Sequence, residues 1–318
     1  RLLGADPAGV TFGASTTANL FRLARAVGRR LGPGDEIVCT RLDHDANVAP
    51  WLTVAAETGA TVRLADIDPD TGRLPTENVT RLLGPRTRWV AVTAASNAVG
   101  AMPDVAAITA AAHEAGARVV VDGVHRTPHG PVDVASLGAD VYATSAYKWY
   151  GPHLGICWIT PDLLAELELD RVRPAPDTGP DRFGVGTPPF ELLAGVAAAA
   201  RFLTDEIDFA AAHHREMATF ARLLDGLRAI DGVHVLGPAD LTARAPTLAF
   251  VVEGYDPGYV ARYLAAHRVA VWDGDYYAVE FFAAVGRPDG AVRAGVVAYN
   301  DDDDVDRLLT AVETLTVP

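Results

Sequence analysis

The sequence predicts an α/β fold, with a large domain on a mostly parallel, mixed sheet covered by helices and a small C-terminal α/β domain. Three observations support this. Over residues 10–160, continuous apolar runs alternate with helical patterns, which is typical of a parallel sheet covered on both faces. A loop rich in Pro, Gly and Asp covers residues 171–189. A long Ala-rich helical stretch then leads into a second set of strands and helices.

The strands of the large domain are predicted from apolar runs bounded by turn residues. They cover residues 9–12, 36–40, 61–65, 89–93, 118–122, 141–145 and 155–160. Helices are predicted between them at residues 17–30, 48–58, 76–83 and 105–115. No full helix separates the last two strands, so we expect one strand there to run antiparallel.

The remaining elements predict the small domain. Helices are expected at residues 191–207, 209–230, 257–267 and 303–315, and strands at 233–236, 247–252, 269–272 and 292–296. A chain of 318 residues exceeds the usual size of one domain. We therefore predict a large domain of residues 1–190 and a small domain of residues 191–318 that begins with a bridging helix.

Composition limits the partners and the compartment. The net charge of −14 argues against nucleic acid and anionic membranes, because an acidic surface repels both. No apolar run approaches the roughly 18 residues that a membrane helix needs, and no signal peptide is visible. Cys39 and Cys157 lie inside apolar runs, as expected for buried thiols in a reducing cytosol. These features predict a cytoplasmic protein.

An acid and a lysine follow neighbouring predicted strands. Asp122 ends the run "VVVD", and Lys148 follows the next strand in "TSAYKWY". Ligands of parallel sheets collect at the carboxyl ends of strands, so both side chains can address one small ligand. Pyridoxal 5′-phosphate (PLP) chemistry needs such a pair, since the lysine forms an imine and the acid keeps the ring nitrogen protonated. Taken singly, a turn-capping lysine and a strand-end carboxylate are the alternatives.

Three further segments place polar groups after strands. Thr16 and Thr17 open a helix after a small-residue turn, which indicates an anion site or only a helix cap. His44 in "TRLDHDANVAPW" can stack on a flat ring, cap a turn, or bind a metal with Asp43 and Asp45. Asn97 in "VTAASNAVG" can hydrogen-bond a ring hydroxyl or form a simple turn.

Two other patterns bear on function. No G-x-G-x-x-G follows the first strand, which argues against a dinucleotide-binding Rossmann enzyme. His213 and His214 lie in a helical pattern and are predicted to face solvent.

Together these segments resemble the class V aminotransferases of the fold-type I PLP enzymes, and specifically the cysteine desulfurase branch. "DHDANVAPW" resembles the histidine motif of that branch, and "VDGVHRTPHGPVDV" resembles its aspartate motif. "SAYKWYGPHLGICW" resembles its lysine motif, "GVGTPP" a later Gly-Thr-Pro turn, and "VRAGVVAYN" its C-terminal arginine strand. The matches run in order from about residue 10 to residue 299.

The resemblance implies a role for each matched residue. Lys148 holds PLP as a Schiff base, Asp122 pairs with the ring nitrogen and His44 stacks on the ring. Asn97 contacts the ring hydroxyl. The implied phosphate ligands are Thr16, Thr17, Ser145 and Tyr147.

Two implied roles concern the partner subunit and the substrate. Thr187 reaches the phosphate of a partner subunit, which implies a homodimer with shared active sites. Arg293 binds the α-carboxylate of an amino acid substrate, as suits a bidentate guanidinium.

The sequence also departs from that branch. Cysteine desulfurases carry a catalytic cysteine on a mobile loop before the arginine strand, where this sequence reads "VWDGDYYAVEFF" with Tyr277 at about the place of the thiol. A persulfide relay therefore lacks its nucleophile.

Tyr147 replaces the histidine before the lysine. His125 replaces a glutamine, and it either contacts the ring and moves protons or is a packed strand-end histidine. This pattern resembles a subfamily described only as cysteine desulfurase-like. An N-terminal segment with the family's first strand is also expected to be missing.

We therefore predict a PLP-dependent lyase or transferase acting on an amino acid, with cysteine desulfurase-like or C–S lyase chemistry that needs no persulfide cysteine. A PLP-dependent aminotransferase or epimerase is the alternative among enzymes. A catalytically inactive PLP-fold protein that serves in binding or assembly is the alternative of another class. No metal is predicted.

Overall fold

The computed structural model describes residues 1–316 of the chain. The strands are β1 (Val10–Gly13), β2 (Glu36–Thr40), β3 (Thr61–Ala65), β4 (Thr87–Thr93), β5 (Arg118–Asp122), β6 (Val141–Ser145), β7 (Gly155–Ile159), β8 (Val233–Leu236), β9 (Thr247–Val252), β10 (Trp272–Gly274) and β11 (Ala291–Gly295). The α-helices are α1 (Thr16–Gly28), α2 (Ala49–Thr58), α3 (Thr76–Thr80), α4 (Val105–Glu114), α5 (Val134–Leu137), α6 (Pro161–Glu166), α7 (Phe190–Arg201), α8 (Phe209–Ala229), α9 (Pro257–Ala266), α10 (Val279–Ala284) and α11 (Asp302–Thr316).

The first sheet has seven strands in the order β1-β7-β6-β5-β4-β2-β3. Strands β2 to β6 are parallel, whereas β7 runs antiparallel to both β1 and β6. The expected antiparallel strand is thus confirmed, because the short turn between β6 and β7 leaves no room for a crossover helix. Successive side chains of β5 enter two different cores, with Val119 and Val121 on one face and Val120 on the other. Burial of both faces explains the continuous apolar runs.

The second sheet has four strands in the order β10-β11-β9-β8, all paired antiparallel. A separate apolar core joins this sheet to α8, α9 and α11 through residues such as Phe220, Phe250 and Leu308. The predicted mixed α/β architecture with a mostly parallel first sheet is therefore confirmed. The division at residue 190 stays a prediction.

Several element boundaries differ from expectation. The bridging helix is regular only to Arg201, and a π-helical turn (Phe202–Glu206) separates α7 from α8. The strand predicted at residues 269–272 is placed too early in the chain, since β10 begins only at Trp272. Arg268 has a left-handed φ of 61°, and Val269 enters the core of the second sheet without joining a strand. Apolar residues that follow the end of a helix and pack into the core give the same local sequence pattern as a strand.

The short helices α5, α6 and α10 were not predicted. Each has six residues or fewer, which is too short for a clear helical period. Within residues 1–316, no helix combines the length and apolar character that a membrane crossing requires.

Candidate active site

A cavity lies where the parallel strands β2, β4, β5 and β6 end. Its lining consists of Thr16, Thr17, His44, Ala46, Thr93, Ala95, Asn97, Asp122, Val124, His125, Ser145, Tyr147 and Lys148. Except for Thr187 and Arg293, every site residue predicted from the sequence belongs to this lining. Thr93, Asp122 and Ala143 are register partners across β4, β5 and β6, so these strands end at one edge. The turns after them converge on one small volume, as the ends of parallel strands commonly do.

Asp122 is the last residue of β5 and is 4% exposed. The backbone N–H of Val124 donates a 2.8 Å hydrogen bond to Asp122 Oδ1. Burial raises the pKa of the Asp122 carboxyl, while the Val124 N–H and the Lys148 cation act in the opposite direction. A buried carboxylate of this kind is stabilised by a cationic partner in the same cavity.

Lys148 lies in a 3₁₀ turn (Ala146–Trp149) directly after β6. Trp149 fixes this turn because its side chain is buried and its Nε1 donates to Thr144 Oγ1 at 3.2 Å. Burial lowers the pKa of the Lys148 ammonium, Arg293 lowers it further, and Asp122 raises it. A larger share of the amine is therefore unprotonated near neutral pH than in an exposed lysine.

Lys148 is also the only lysine of the 318 residues. Lysine is normally among the commonest residues and lies on protein surfaces. In this chain arginine carries the surface cations instead, and the single lysine lines a cavity. This compositional signal singles out Lys148 independently of the motif in which it lies.

The start of α1 forms one wall of the cavity. Ser15 caps the helix, since its side chain accepts a hydrogen bond from Ala18 N at 3.1 Å. Thr16 Oγ1 donates to the Thr144 carbonyl oxygen at 2.7 Å and lies 2.7 Å from Ser145 Oγ. The helix dipole and unpaired N–H groups of a first helical turn favour an anion at this wall.

Gly155 allows this helix start to lie against β7. A Cβ atom on Gly155 would lie 2.1 Å from the carbonyl carbon of Ser15, which is far inside van der Waals contact. A glycine is thus needed where the backbone of β7 passes the helix start, and it keeps α1 close to the end of β6.

His44 lines the cavity with a neutral imidazole ring. Its Nδ1 accepts a hydrogen bond from Ala46 N at 2.9 Å, so Nε2 carries the proton of the neutral ring. Burial, Lys148 and Arg293 lower the pKa of His44 to about 4. Its ring centroid is 5.4 Å from that of Tyr277. Among residues 1–316, no group of three or more His, Cys, Asp or Glu side chains is arranged to hold a metal ion.

Asp43 faces inward and is 1% exposed. Its Oδ1 accepts from Asn47 Nδ2 at 2.7 Å, and its Oδ2 accepts from the Thr40 hydroxyl. Burial raises its pKa to about 8, and Asp122 contributes to the same shift. A protonated Asp43 adds no negative charge beside Asp122. From the sequence, Asp43 was expected only as a metal ligand, and its buried hydrogen bonds were not predicted.

Asn97 connects the cavity to the second sheet. Its Nδ2 donates to the Tyr276 carbonyl oxygen at 2.8 Å, while its buried Oδ1 has no partner. Arg293 Nη1 donates to the Asn97 carbonyl oxygen at 2.9 Å, and its guanidinium lies 4.8 Å from the centroid of the Tyr276 ring. Arg293 is thus held beside the cavity, although it is not part of its lining.

Tyr276 and Tyr277 form a constrained turn next to His44. Their φ angles are 51° and 59°, a left-handed pair that is uncommon for residues with a Cβ. Asp45 N donates to the Tyr277 carbonyl oxygen at 2.7 Å, and Asp275 Oδ1 accepts from Tyr277 N at 2.9 Å. The Tyr277 side chain remains 65% exposed. These contacts fix the backbone of the turn and leave the phenol ring accessible.

The remaining predicted residues have different surroundings. His125 Nε2 lies 3.0 Å from Thr247 Oγ1, and burial keeps its pKa well below the usual value. Tyr147 is 46% exposed and stacks on His153 with ring centroids 4.8 Å apart. Thr187 is exposed on the loop before α7 and lies outside the cavity, so its phosphate contact stays a prediction.

The arrangement fits PLP. An amine and a carboxylate line the same small cavity, one wall is a helix start suited to a phosphate, and the orphaned Asn97 Oδ1 offers a free acceptor. Neutral His44 adds a flat, uncharged ring. The donor set needs no metal ion, and it matches the requirements of a phosphorylated pyridine aldehyde.

Comparison with known proteins agrees with this arrangement. The family profile described as aminotransferase class-V matches residues 1–308. A probable cysteine desulfurase of Pseudomonas aeruginosa is 33% identical over 322 residues, which cover 97% of this chain and 78% of that protein. Probable cysteine desulfurase 1 of Mycobacterium leprae is 33% identical over 332 residues. These cover 99% of this chain, but the chain spans only 53% of the length of that relative.

A solved structure shows the same fold. The crystal structure of the cysteine desulfurase CsdA from Escherichia coli superposes with a TM-score of 0.92 at 30% identity, covering 98% of this chain and 80% of that chain. From the matched profile, the relatives and the shared architecture, we conclude that the chain belongs to the aminotransferase class V family of fold-type I, PLP-dependent enzymes.

Proposed function

We propose that this protein cleaves a bond at the β carbon of an amino acid, with cysteine desulfurase-like or C–S lyase chemistry that uses no cysteine of the enzyme. One observation carries the proposal. Lys148 and Asp122 line a cavity that contains no cysteine, and Tyr277 lies beside His44 at that cavity. The amine and the carboxylate support PLP-dependent chemistry at an amino acid, and the lack of a thiol in the lining favours a reaction without a persulfide relay.

The cofactor residues have distinct tasks in this proposal. When bound, PLP supplies an electron sink for the α carbon of an attached amino acid. Asp122 holds the proton on the ring nitrogen, and the first turn of α1 with Thr16, Thr17 and Ser145 binds the phosphate. His44 covers one face of the ring as a neutral imidazole. Asn97 Oδ1 and His125 remain available to the ring substituents.

Lys148 is the proposed proton carrier. Burial lowers the pKa of its amine, so the free base is accessible near neutral pH and can accept the proton from the substrate α carbon. The same amine can return a proton to the departing group or to the product. Asp122 limits the pKa shift, because its negative charge favours the ammonium form.

Arg293 is the proposed substrate clamp. Its Nη1 is bound to Asn97, which leaves the other guanidinium N–H groups for the substrate α-carboxylate. Binding at this position orients the bond that breaks at the α carbon relative to Lys148.

The two thiols support a reaction without an enzyme persulfide. Cys39 in β2 and Cys157 in β7 are both 0% exposed. Burial raises the pKa of Cys39 well above its usual range and that of Cys157 to about 12. Neither forms a thiolate at neutral pH, so neither is a competent nucleophile. Sulfur would leave the substrate with the electron pair of the broken C–S bond, and one water would hydrolyse the remaining unsaturated amine to pyruvate and ammonia.

We also propose a cytoplasmic homodimer. Val185, Phe190 and Tyr299 are 71%, 66% and 76% exposed. Val185 lies on the loop of Thr187 and Phe190 directly follows that loop, and exposed apolar side chains of this kind favour association with a second copy. That arrangement would bring Thr187 to the phosphate site of the partner subunit.

A substrate panel tests the proposed reaction. The PLP-loaded protein is incubated with cysteine, cystine and other β-substituted amino acids, and sulfide, pyruvate, alanine and amino-group transfer are measured. Pyruvate that appears with the sulfur product and disappears in Lys148→Ala supports the proposal. Alanine formed with an enzyme-bound persulfide would contradict it. Transamination or racemisation would identify the aminotransferase or epimerase alternative, and inertness with bound PLP would favour a binding role.

A further inference from the structure

A second cavity, separate from the active site, lies between the segment after β5, helix α8 and the loop before β9. Its volume is about 370 Å³, and its lining consists of Met102, Arg126, His129, His213, Met217, Leu241, Ala243, Arg244 and Ala245. This volume is within the range of small-molecule sites. One part of the lining is cationic, and the other part is apolar.

Two arginines supply positive charge without a carboxylate partner. Arg126 donates to the carbonyl oxygens of Gly130 and Pro131 at 3.1 and 2.9 Å. Arg244 donates to the carbonyl oxygens of Pro238 and Thr247. Within the described part of the chain, these neutral acceptors are their only hydrogen-bond partners and neither arginine forms an ion pair, although Asp240 acts on Arg244 at longer range and the Arg244 guanidinium lies 5.0 Å from the centroid of the Phe220 ring. Such charges are costly unless an anion pairs with them.

Arg244 has a buried donor group without a hydrogen-bond acceptor. The residue is 3% exposed, and its buried Nε has no partner in the described structure. Burial lowers the pKa of Arg244 to about 10, which still leaves the guanidinium charged at neutral pH. The buried Nδ1 of His213 makes no hydrogen bond either, and its charged neighbour is Glu216 Oε2 at 3.9 Å.

The nearby carboxylate does not neutralise the arginines. Glu216 is 3% exposed, and its Oε2 lies 3.1 Å from His129 Nδ1 and 3.9 Å from His213 Nδ1. Burial pushes the pKa of Glu216 upward, but the contacts with His129 and His213 outweigh burial and lower it. Glu216 is thus charged and engaged by the histidines. The expectation that His213 and His214 face solvent holds for the exposed His214, whereas His213 is half-buried beside Glu216 and the cavity.

The apolar part of the lining is adaptable. Met102 and Met217 are the only methionines of the sequence, and both lie here. Leu241 is 40% exposed beside them. Flexible thioether side chains are common where apolar groups of varied shape bind. The cavity therefore presents an apolar surface next to unpaired guanidinium groups.

We propose that this cavity binds a small organic anion, namely a carboxylate attached to a short aliphatic chain. The carboxylate would pair with Arg126 and Arg244, and the chain would contact Met102, Met217 and Leu241. His129 links the cavity to the active site, because its ring lies edge-on to that of His125 at 5.3 Å. The site does not depend on the proposed reaction, and it would stand if that reaction were different.

The two methionines provide a direct test. In PLP-loaded protein labelled with ¹³C-methyl methionine, Met102→Leu and Met217→Leu assign the two signals. Hexanoate should shift both methyl signals in a saturable way, whereas 1-hexanol, which has the chain without the charge, should bind at least about tenfold more weakly. Equal shifts with hexanol, or no shift with hexanoate, would overturn the proposal. Inorganic phosphate tests whether charge alone is enough, and binding as tight as that of hexanoate would also contradict it.

Variants separate a binding effect from a folding effect. Arg126→Gln should weaken hexanoate binding about tenfold, with the bound cofactor spectrum as a check of folding. Leu241→Glu and Leu241→Gln both remove an apolar contact at the exposed rim, but only Leu241→Glu adds a like charge, so it should weaken hexanoate binding about fivefold more than the matched Leu241→Gln. If Leu241→Glu and Leu241→Gln bound hexanoate equally well, the charge-based assignment of the cavity would be wrong.

Discussion

Arg293 Nη1 donates a 2.9 Å hydrogen bond to the carbonyl oxygen of Asn97, which joins β11 of the second sheet to the turn after β4 of the first. The Asn97 amide in turn holds the Tyr276 carbonyl oxygen at 2.8 Å. The proposed substrate clamp and the proposed ring contact are therefore positioned by each other. A substitution at Arg293 or Asn97 is therefore expected to weaken substrate binding more than it weakens attachment of the cofactor.

Arg293→Gln should raise KM for the amino acid substrate about 10- to 100-fold. The physical reason is the loss of a charge-assisted bond to the carboxylate, which is worth about 1.5–3 kcal/mol. Steady-state kinetics with the absorbance of the bound cofactor will check this. Arg307→Gln, at an exposed arginine of α11, is the matched control. A fall in kcat at constant KM would contradict the role as a clamp.

Removing Arg293 should also shift the titration of Lys148. The Arg293 cation lowers the pKa of the Lys148 ammonium, so Arg293→Gln should raise this pKa. The part of the pH–rate curve that depends on the free Lys148 amine should then move to higher pH. The pH profile of kcat measures this shift, because Lys148 is a free amine only once the substrate has displaced it from the cofactor. A limb that stays in place or moves to lower pH would show that another group titrates.

Borohydride should fix PLP to one peptide of the wild-type protein. Because Lys148 is the only lysine, digestion and mass spectrometry should find a single modified side chain. Lys148→Ala should lose both this label and the visible absorption of the cofactor. Lys148→Arg keeps the charge and serves as the matched control, which should also remain unlabelled. A label on the α-amino terminus or on another residue would refute the assignment.

Asp122→Asn should retain PLP but lose about 100-fold or more in kcat. The change preserves the shape of the side chain and removes the charge that holds the ring proton, and loss of one preorganised electrostatic contact commonly has this scale. Asp122→Glu tests whether charge alone is enough. Cofactor content and kcat are measured together. A variant that keeps full kcat would exclude pairing between Asp122 and the ring nitrogen.

Replacing both cysteines should leave the reaction intact. Cys39→Ala with Cys157→Ala removes two thiols that are buried in β2 and β7, so kcat should stay within about twofold, although small cavities cost about 1 kcal/mol of stability each. Product formation and urea unfolding are followed in parallel. If the folded double variant no longer released sulfur, a mechanism with a cysteine persulfide would be supported instead.

His44 should make stability pH-dependent. Its folded pKa of about 4 lies below the usual value of 6.5, so the unfolded chain binds the proton first as the pH falls. Stability from this group is present above pH 6.5 and is lost as the pH falls toward 4, by up to about 3 kcal/mol. Urea unfolding without added cofactor, compared with His44→Gln at pH 7 and pH 4.5, measures the difference. An identical loss in both proteins would contradict it.

The strand ends of the site could be predicted from the sequence because the evidence is local. Continuous apolar runs locate β2, β4, β5 and β6, and parallel strands bring His44, Asn97, Asp122 and Lys148 to one edge without further information. The failures are also local in origin. Val269 gives the pattern of a strand but only fills the core of the second sheet, and α10 is too short to show a period.

By itself, the sequence determined the α/β fold class, the family motifs and the residues at the ends of the strands, since these depend on short-range pattern and on the parallel arrangement. Only the tertiary structure decided which groups are charged and which are paired. Burial sets the ionisation of Asp43, and α8 brings Glu216 to His129, 87 residues away in the chain. Contacts between segments that are distant in the chain determine how far each ionisable group is removed from water and which charged groups lie beside it. A pattern of neighbouring residues does not contain this information.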